Sequence, residues 1–263
     1  MDRARYSAEV LLAHCLGVER LELYTHFDRP LQEEELATFR PMLKRKNQRE
    51  PLEYILGEVE FYHCQIGVNP SVLIPRQETE ILLDLICQRI QNKTGSALDL
   101  CTGSGCLAIG LKKTFSEIRV TAVDICEEAL SLAGKNGGRN QVEVDWRLGN
   151  LLEPVAGEKF DLVICNPPYI TEEEYTALEP EVRGFEPKKA LVSGASGIEF
   201  YERLAKELPS VLNPGAQVFF EVGAGQKEKV LPLFSKNCWG EPCIEPDWAG
   251  NDRFFFAVFL ENE

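Results

Sequence analysis

Ala97-Leu98-Asp99-Leu100-Cys101-Thr102-Gly103-Ser104-Gly105-Cys106-Leu107-Ala108 reads as an apolar strand, a glycine-rich turn and the start of a helix. Gly103 and Gly105 let the backbone pass close to a ligand, and a turn that opens a helix presents N–H donors. A second apolar stretch, Arg119-Val120-Thr121-Ala122-Val123, ends on Asp124. That acid lies roughly 20 residues beyond the first glycine, where a carboxylate can accept ribose hydroxyls. Strand, turn, helix and downstream acid, in that order, imply a nucleoside-containing cofactor. On spacing alone two cofactors fit. Gly103-x-Gly105-x-x-Ala108 satisfies the dinucleotide fingerprint Gly-x-Gly-x-x-Gly/Ala, so NAD stands beside S-adenosylmethionine.

Working outward, the alternation of strand and helix continues. Val142 to Trp146 reads as a third strand of weaker apolar character, Phe160 to Cys165 as a fourth and Gln217 to Val222 as a fifth. The Cys238–Trp248 stretch and the strongly apolar Phe254–Leu260 run predict an edge pair with one strand antiparallel. With helices between them, these strands predict an α/β fold whose mainly parallel sheet is covered on both faces. Towards the N-terminus the texture differs. Met1-Asp2-Arg3-Ala4-Arg5 leads into an amphipathic pattern without a signal-peptide core. Val10, Leu11, Leu12, Cys15 and Leu16 make one helical stripe, and Glu33 to Asn47 another, interrupted near Pro41, which predicts a second helix opening there. Glu60 to Val68, the turn residues Asn69-Pro70-Ser71, and Val72 to Ile74 read as a β-hairpin linker. The expected domains are a helical docking unit over 1–50, a hairpin linker over 51–77 and a cofactor-binding domain over 78–263.

Composition narrows the class. The 263 residues are 44% hydrophobic and 27% charged, ordinary for a globular protein. No apolar run approaches the roughly 20 residues of a membrane span. Nine cysteines without a Cys-x-x-Cys pair predict reduced thiols in the cytosol. With three histidines there is no metal-ligand pattern, and no metal is expected. A net charge of −14 argues against binding a phosphate backbone and suits a basic partner surface.

The fourth strand gives out at Asn166-Pro167-Pro168-Tyr169. Ligands of open α/β sheets bind at the carboxyl ends of strands. Two prolines remove two backbone donors and leave nearby carbonyls free to accept. A carboxamide oxygen beside a fixed carbonyl can hold a planar NH2 group, with the tyrosine ring next to it. A turn that simply ends a strand accounts for an isolated Asn-Pro-Pro equally well. Beside a cofactor turn, though, the tetrapeptide has no evident use in hydride transfer. It does have one in methylating nitrogen, and this selects S-adenosylmethionine over NAD.

These residues resemble the class I S-adenosylmethionine-dependent methyltransferases that carry Asn/Asp-Pro-Pro-Tyr/Phe/Trp and methylate amino groups of adenine, cytosine or glutamine. Leu73-Ile74-Pro75-Arg76-Gln77-Glu78-Thr79-Glu80 narrows the likeness. It resembles the Ile-Pro-Arg-x-Glu-Thr-Glu signature of the peptide chain release factor glutamine N5-methyltransferases, the HemK/PrmC family. Pro51 to Gly57, Glu60-Phe61-Tyr62, Glu186-Pro187 to Leu191, Gly194 to Gly197, and Glu221-Val222-Gly223 with Gln226 extend it over nearly the whole chain.

The resemblance implies a Rossmann-like, seven-stranded, mainly parallel sheet. It also implies methyl transfer to the glutamine of a Gly-Gly-Gln loop in class-1 release factors, leaving S-adenosylhomocysteine. By that likeness, Asn166 and the Pro167 carbonyl hold the amide, with Pro168 and Tyr169 lining the pocket. Cys101, Thr102, Gly103, Ser104 and Gly105 wrap the methionine end of the cofactor, which Asn166 borders, and Asp124 takes the ribose. Asn150 and Leu151 meet the adenine, and Pro75 and Arg76 stand at the mouth. The chain is expected to act as a cytoplasmic monomer without touching nucleic acid or membrane.

Two positions depart from the family pattern: Cys101 replaces a usual Gly or Ala, and Asn150 a frequent Asp. Two rivals remain at this level. A DNA adenine methyltransferase shares the tetrapeptide but would need a base-reading domain. A nucleotide-binding module would use the glycine turn alone.

Overall fold

The structure, a computed structural model, describes residues 3–91, 93–235 and 238–260. Met1 and Asp2, where the amphipathic reading begins, lie outside them. Helices α1 (Arg3–Leu16), α2 (Glu33–Asn47) and α3 (Leu52–Leu56) come first, then the hairpin β1 (Glu58–Phe61) and β2 (Cys64–Gly67), then α4 (Gln77–Arg89). The alternating part follows: β3 (Ser96–Leu100), α5 (Cys106–Thr114), β4 (Arg119–Asp124), α6 (Glu127–Arg139), β5 (Asp145–Leu148) and β6 (Phe160–Cys165). Then come β7 (Ile170–Thr171), α7 (Glu172–Ala177), α8 (Pro180–Phe185), β8 (Val192–Gly194), α9 (Glu199–Glu207), β9 (Leu212–Glu221) and α10 (Lys227–Val230). β10 (Trp239–Pro246) and β11 (Asp252–Phe259) close the chain.

Seven strands form one sheet in the order β10-β11-β9-β6-β3-β4-β5. β9, β6, β3, β4 and β5 run parallel, while β11 lies antiparallel to both β9 and β10. Strand residues alternate between two buried layers. Ala97, Ile164 and Phe219 face the layer under α4, α5 and the hairpin, whereas Leu98, Val163 and Phe220 face the layer under α9. Burial on both faces explains why the strands read as unbroken apolar runs.

Several expectations are corrected. α2 does not break at Pro41. Proline in a helix interior frees the carbonyl four residues back, but here both Pro41 and Ala37 are exposed, so water can take that carbonyl. The hairpin turns at Tyr62 and His63 (φ 46° and 62°), the left-handed pair of a two-residue turn, not at Asn69-Pro70-Ser71. Val72 to Ile74 forms no strand. The third parallel strand starts at Asp145 because the Val142 N–H closes α6 on the Gly137 carbonyl, 3.0 Å away. β7 and β8, a small parallel pair, were not foreseen.

The hairpin is fastened to α6 by side chains that imitate a neighbouring strand. Asn140 Oδ1 accepts from the Gln65 N–H (3.1 Å) and Asn136 Oδ1 from the Gly67 N–H (2.8 Å). Asn136 Nδ2 donates to the carbonyls of Gly67 (3.0 Å) and Ser104 (2.9 Å). A Cβ at residue 67 would sit 2.9 Å from Asn136 Oδ1, so the approach requires Gly67.

Candidate active site

The strand order reverses between β3 and β6, the switch point where open α/β sheets bind ligands. A cleft of about 960 Å3, open to solvent, lies there beyond the carboxyl ends of β3, β4 and β6. Of the residues expected at the site, Cys101, Thr102, Gly103, Ser104, Asp124, Asn150, Leu151, Asn166 and Pro168 line it. Gly105, Pro167 and Tyr169 do not.

The glycine turn shows why. Gly103 (φ 54°) has open space where a Cβ would be. At Gly105 (φ 81°) a Cβ would meet Trp146 at 2.8 Å and Ala133 at 3.1 Å, so this glycine serves helix packing. Cys101 also sits in the left-handed region, φ 57°, where a side chain costs about 1–2 kcal/mol. Glycine alone would escape that cost.

Three of the turn's donors are already in use: Thr102 N–H on the Val123 carbonyl (3.1 Å), Gly103 N–H on Asp124 Oδ2 (2.8 Å) and Gly105 N–H on the Thr102 carbonyl (2.8 Å). An anionic pyrophosphate would find a carboxylate where a dinucleotide site offers free N–H groups. Asp124 takes the Cys126 N–H on its other oxygen at 2.9 Å. Each oxygen keeps a lone pair for a ribose hydroxyl. Burial raises the Asp124 pKa against these hydrogen bonds.

Asp99 lies beneath the turn, fully buried. Its Oδ2 accepts from Thr102 Oγ1 (2.6 Å) and the Ala108 N–H (3.2 Å), while Oδ1 is buried without a partner. Desolvation pushes its pKa up to about 7 from 3.8. Between those values the folded protein keeps a proton that the unfolded chain has lost. Stability therefore falls as pH rises through this window, by up to about 1.4 kcal/mol per pH unit. Asp99→Asn should remove that slope; urea unfolding at stepped pH reads it, and an unchanged slope would assign the titration elsewhere.

Asp124 on the cleft wall suits a cationic ligand. Lys189, which was not foreseen, lines the same cleft; a hydrogen bond with the Cys126 side chain, and behind it the carboxylates of Glu128 and Asp124, raise its pKa. On the same wall Leu151 is buried and Ile125, directly after Asp124, stands 65% exposed. Asn150 Oδ1 accepts from Arg203 Nη1 at 3.0 Å and its Nδ2 faces Glu153 at 3.3 Å. Its acceptor is thus already shared with an arginine.

At the other end, Asn166 Nδ2 lies 3.0 Å from Thr79 Oγ1 and 2.9 Å from Glu221 Oε2. Thr79 Oγ1 donates to the same Oε2 at 2.6 Å. No described residue donates to Asn166 Oδ1 or to the Pro167 carbonyl. Tyr169 turns away from the cleft: its hydroxyl is 3.4 Å from Glu221 Oε1, and Arg253 lies 5.9 Å from its ring centroid. Gln226 braces this segment from behind, donating to the carbonyls of Tyr169 (2.7 Å) and Gly197 (3.2 Å) and accepting the Gly223 N–H (3.0 Å).

The Ile74–Glu80 signature divides its polar groups among three partners. Arg76 pairs with buried Glu186 at 2.5 Å, and Glu186 also takes the Ile74 N–H (3.2 Å). Thr79 joins Glu221, and Glu80 accepts the Tyr62 N–H at 2.7 Å. Pro75 lines the cleft; Arg76 does not.

The reversed strand order, the acid-capped glycine turn and the Asn-Pro-Pro-Tyr end of β6 define a class I methyltransferase. The fold is similar to that of a methyltransferase from Pyrococcus furiosus, with a TM-score of 0.55 at 23% identity over 75% of this chain and 89% of that one. A family model described as the PrmC N-terminal domain matches residues 1–57, and one described as the methyltransferase small domain matches 77–181. The release factor glutamine methyltransferase of Geobacter sulfurreducens is 40% identical over 96% of this chain and 89% of its own length. That of Chlamydia trachomatis serovar L2 is 40% identical over 89% and 79% respectively. The chain belongs to the release factor glutamine methyltransferase family.

Proposed function

We propose that this protein transfers the methyl group of S-adenosylmethionine to the side-chain amide nitrogen of the Gly-Gly-Gln glutamine in class-1 peptide chain release factors. The observation that carries this reading is the pair of unclaimed acceptors, Asn166 Oδ1 and the Pro167 carbonyl, at the strand end beside the cofactor turn. An amide nitrogen is a poor nucleophile because its lone pair is delocalised into the carbonyl. Two acceptors on its hydrogens raise its electron density and hold it in line, which is catalysis by orientation and electrostatics. The cofactor, when bound, supplies an activated methyl on sulfonium. Asp124 and the Gly103 backbone orient it, with Leu151 and Ile125 beside the base. The N–C bond forms as the C–S electron pair returns to sulfur, and the nitrogen then sheds a proton to water. No dedicated base is needed.

In the same reading the helices of residues 1–50 dock the release factor and 51–77 link them to the catalytic domain. Exposed Leu21, Tyr24 and Phe27 give those helices an apolar contact surface, and Lys46 ties α2 to α8 through Glu181 at 3.0 Å. The protein acts in the cytoplasm as a monomer, and its net charge of −14 disfavours a nucleic-acid substrate. Among the described residues no helix is long and apolar enough to cross a membrane.

The test is incubation with S-adenosylmethionine and unmodified release factor, followed by peptide mass spectrometry. A methyl on the Gly-Gly-Gln glutamine is expected; methylated adenine in a parallel DNA incubation, or no product, would sink the reading. An isolated loop peptide should react with a much higher KM than the intact factor. Equal KM values would remove the docking role.

A further inference from the structure

We propose that Glu221, acting with Thr79, is a positioning residue that fixes which way the Asn166 carboxamide faces. This deepens the methyl-transfer reading and rests on it. The oxygen and nitrogen of a carboxamide are nearly the same size, so packing cannot choose between its two orientations; hydrogen bonding must. An ionised carboxylate only accepts. The Thr79 hydroxyl has one hydrogen and directs it to Glu221 Oε2 at 2.6 Å, so toward Asn166 it too can only accept. Both inner neighbours of Asn166 therefore demand a donor, and Nδ2 stands within 3.0 Å of each. The reversed orientation would set Oδ1 against these acceptors with no proton between them.

Glu221 is well placed to enforce the choice. It ends β9, is 2% exposed and does not line the cleft. Its backbone carbonyl accepts from the Tyr201 hydroxyl at 2.9 Å. Its second carboxylate oxygen faces the Tyr169 hydroxyl at 3.4 Å. Among the described residues its carboxylate bonds to Thr79, Asn166 and Tyr169. With Nδ2 held inward, Oδ1 is the group presented to the substrate NH2. Reversed, an N–H would oppose an N–H.

Three variants of the full chain separate this role from simple space filling. Glu221→Met keeps the bulk and removes the acceptors; Glu221→Gln keeps one acceptor; Thr79→Val removes the hydroxyl. With S-adenosylmethionine and release factor, Glu221→Met should lose roughly 100-fold in kcat while cofactor Kd stays within about threefold. Glu221→Gln should recover to within about tenfold of wild type, with Thr79→Val between the two. A space-filling residue would work as well as methionine.

An independent readout is the exchange of the Asn166 side-chain amide protons in the wild-type protein, followed by nuclear magnetic resonance. Protected protons are expected. A folded, cofactor-binding Glu221→Met that turns over within about threefold of wild type overturns the proposal. So does free exchange of the Asn166 amide in wild type, which decides the matter if Glu221→Met fails to fold. Failure of the wild type to methylate glutamine would count against the proposed reaction, while amide exchange would still report the orientation.

Discussion

Asn166→Ala should lose about 100- to 1,000-fold in turnover, the range seen when one preorganised polar contact to a reacting group is removed. S-adenosylmethionine should still bind with near-native affinity. The turn and Asp124 proposed to hold the cofactor form hydrogen bonds with each other, none of them to Asn166. Alanine leaves the substrate nitrogen with only the Pro167 carbonyl, so the amide is neither aligned nor polarised. It also strips Glu221 Oε2 of one donor, leaving Thr79 at 2.6 Å. Calorimetry for the cofactor and single-turnover methyl transfer to release factor separate the two effects. Wild-type transfer by this variant would reject the role assigned to Asn166.

Asp124→Ala should show the opposite division. Two hydrogen bonds from ribose hydroxyls to a charged acceptor contribute about 1.5 kcal/mol or more each, net of exchange with water, so a loss of roughly 100-fold or more in cofactor affinity is expected. The same carboxylate holds the Gly103 and Cys126 N–H groups at 2.8 and 2.9 Å, so its removal also loosens the turn. At saturating cofactor, kcat should return to within about tenfold of wild type, because the groups that touch the amide are intact. Asp124→Asn should fall between, since its oxygen can serve only one of the two places. An unchanged Kd for Asp124→Ala would refute the ribose assignment.

The sheet was legible because its strands are buried on both faces and punctuated by glycine or proline. The glycine turn was legible because Gly103 and Asp124 are fixed in order along the chain. What escaped the sequence depends on contacts between distant segments. Thr79 and Glu221 meet although 142 residues separate them, and nothing local marks either as a partner of Asn166. Arg203 on Asn150 was hidden in the same way, as was Glu186 under Arg76. Gly105 looked like a ligand glycine by spacing, but the neighbour that needs its missing side chain is Trp146. The hairpin turn was missed because Tyr62 and His63 are not turn-forming residues by type; the Glu80 carboxylate on the Tyr62 N–H helps hold them there.

The acid on the cleft wall bears on how a catalytic cycle ends. S-adenosylmethionine enters with a net positive charge and leaves as a neutral thioether once its methyl is gone. Asp124, which lines the cleft, attracts the first form more than the second. Transfer would thus cancel part of the attraction that Asp124 offers the donor, which would favour exchange of the spent cofactor for a fresh one.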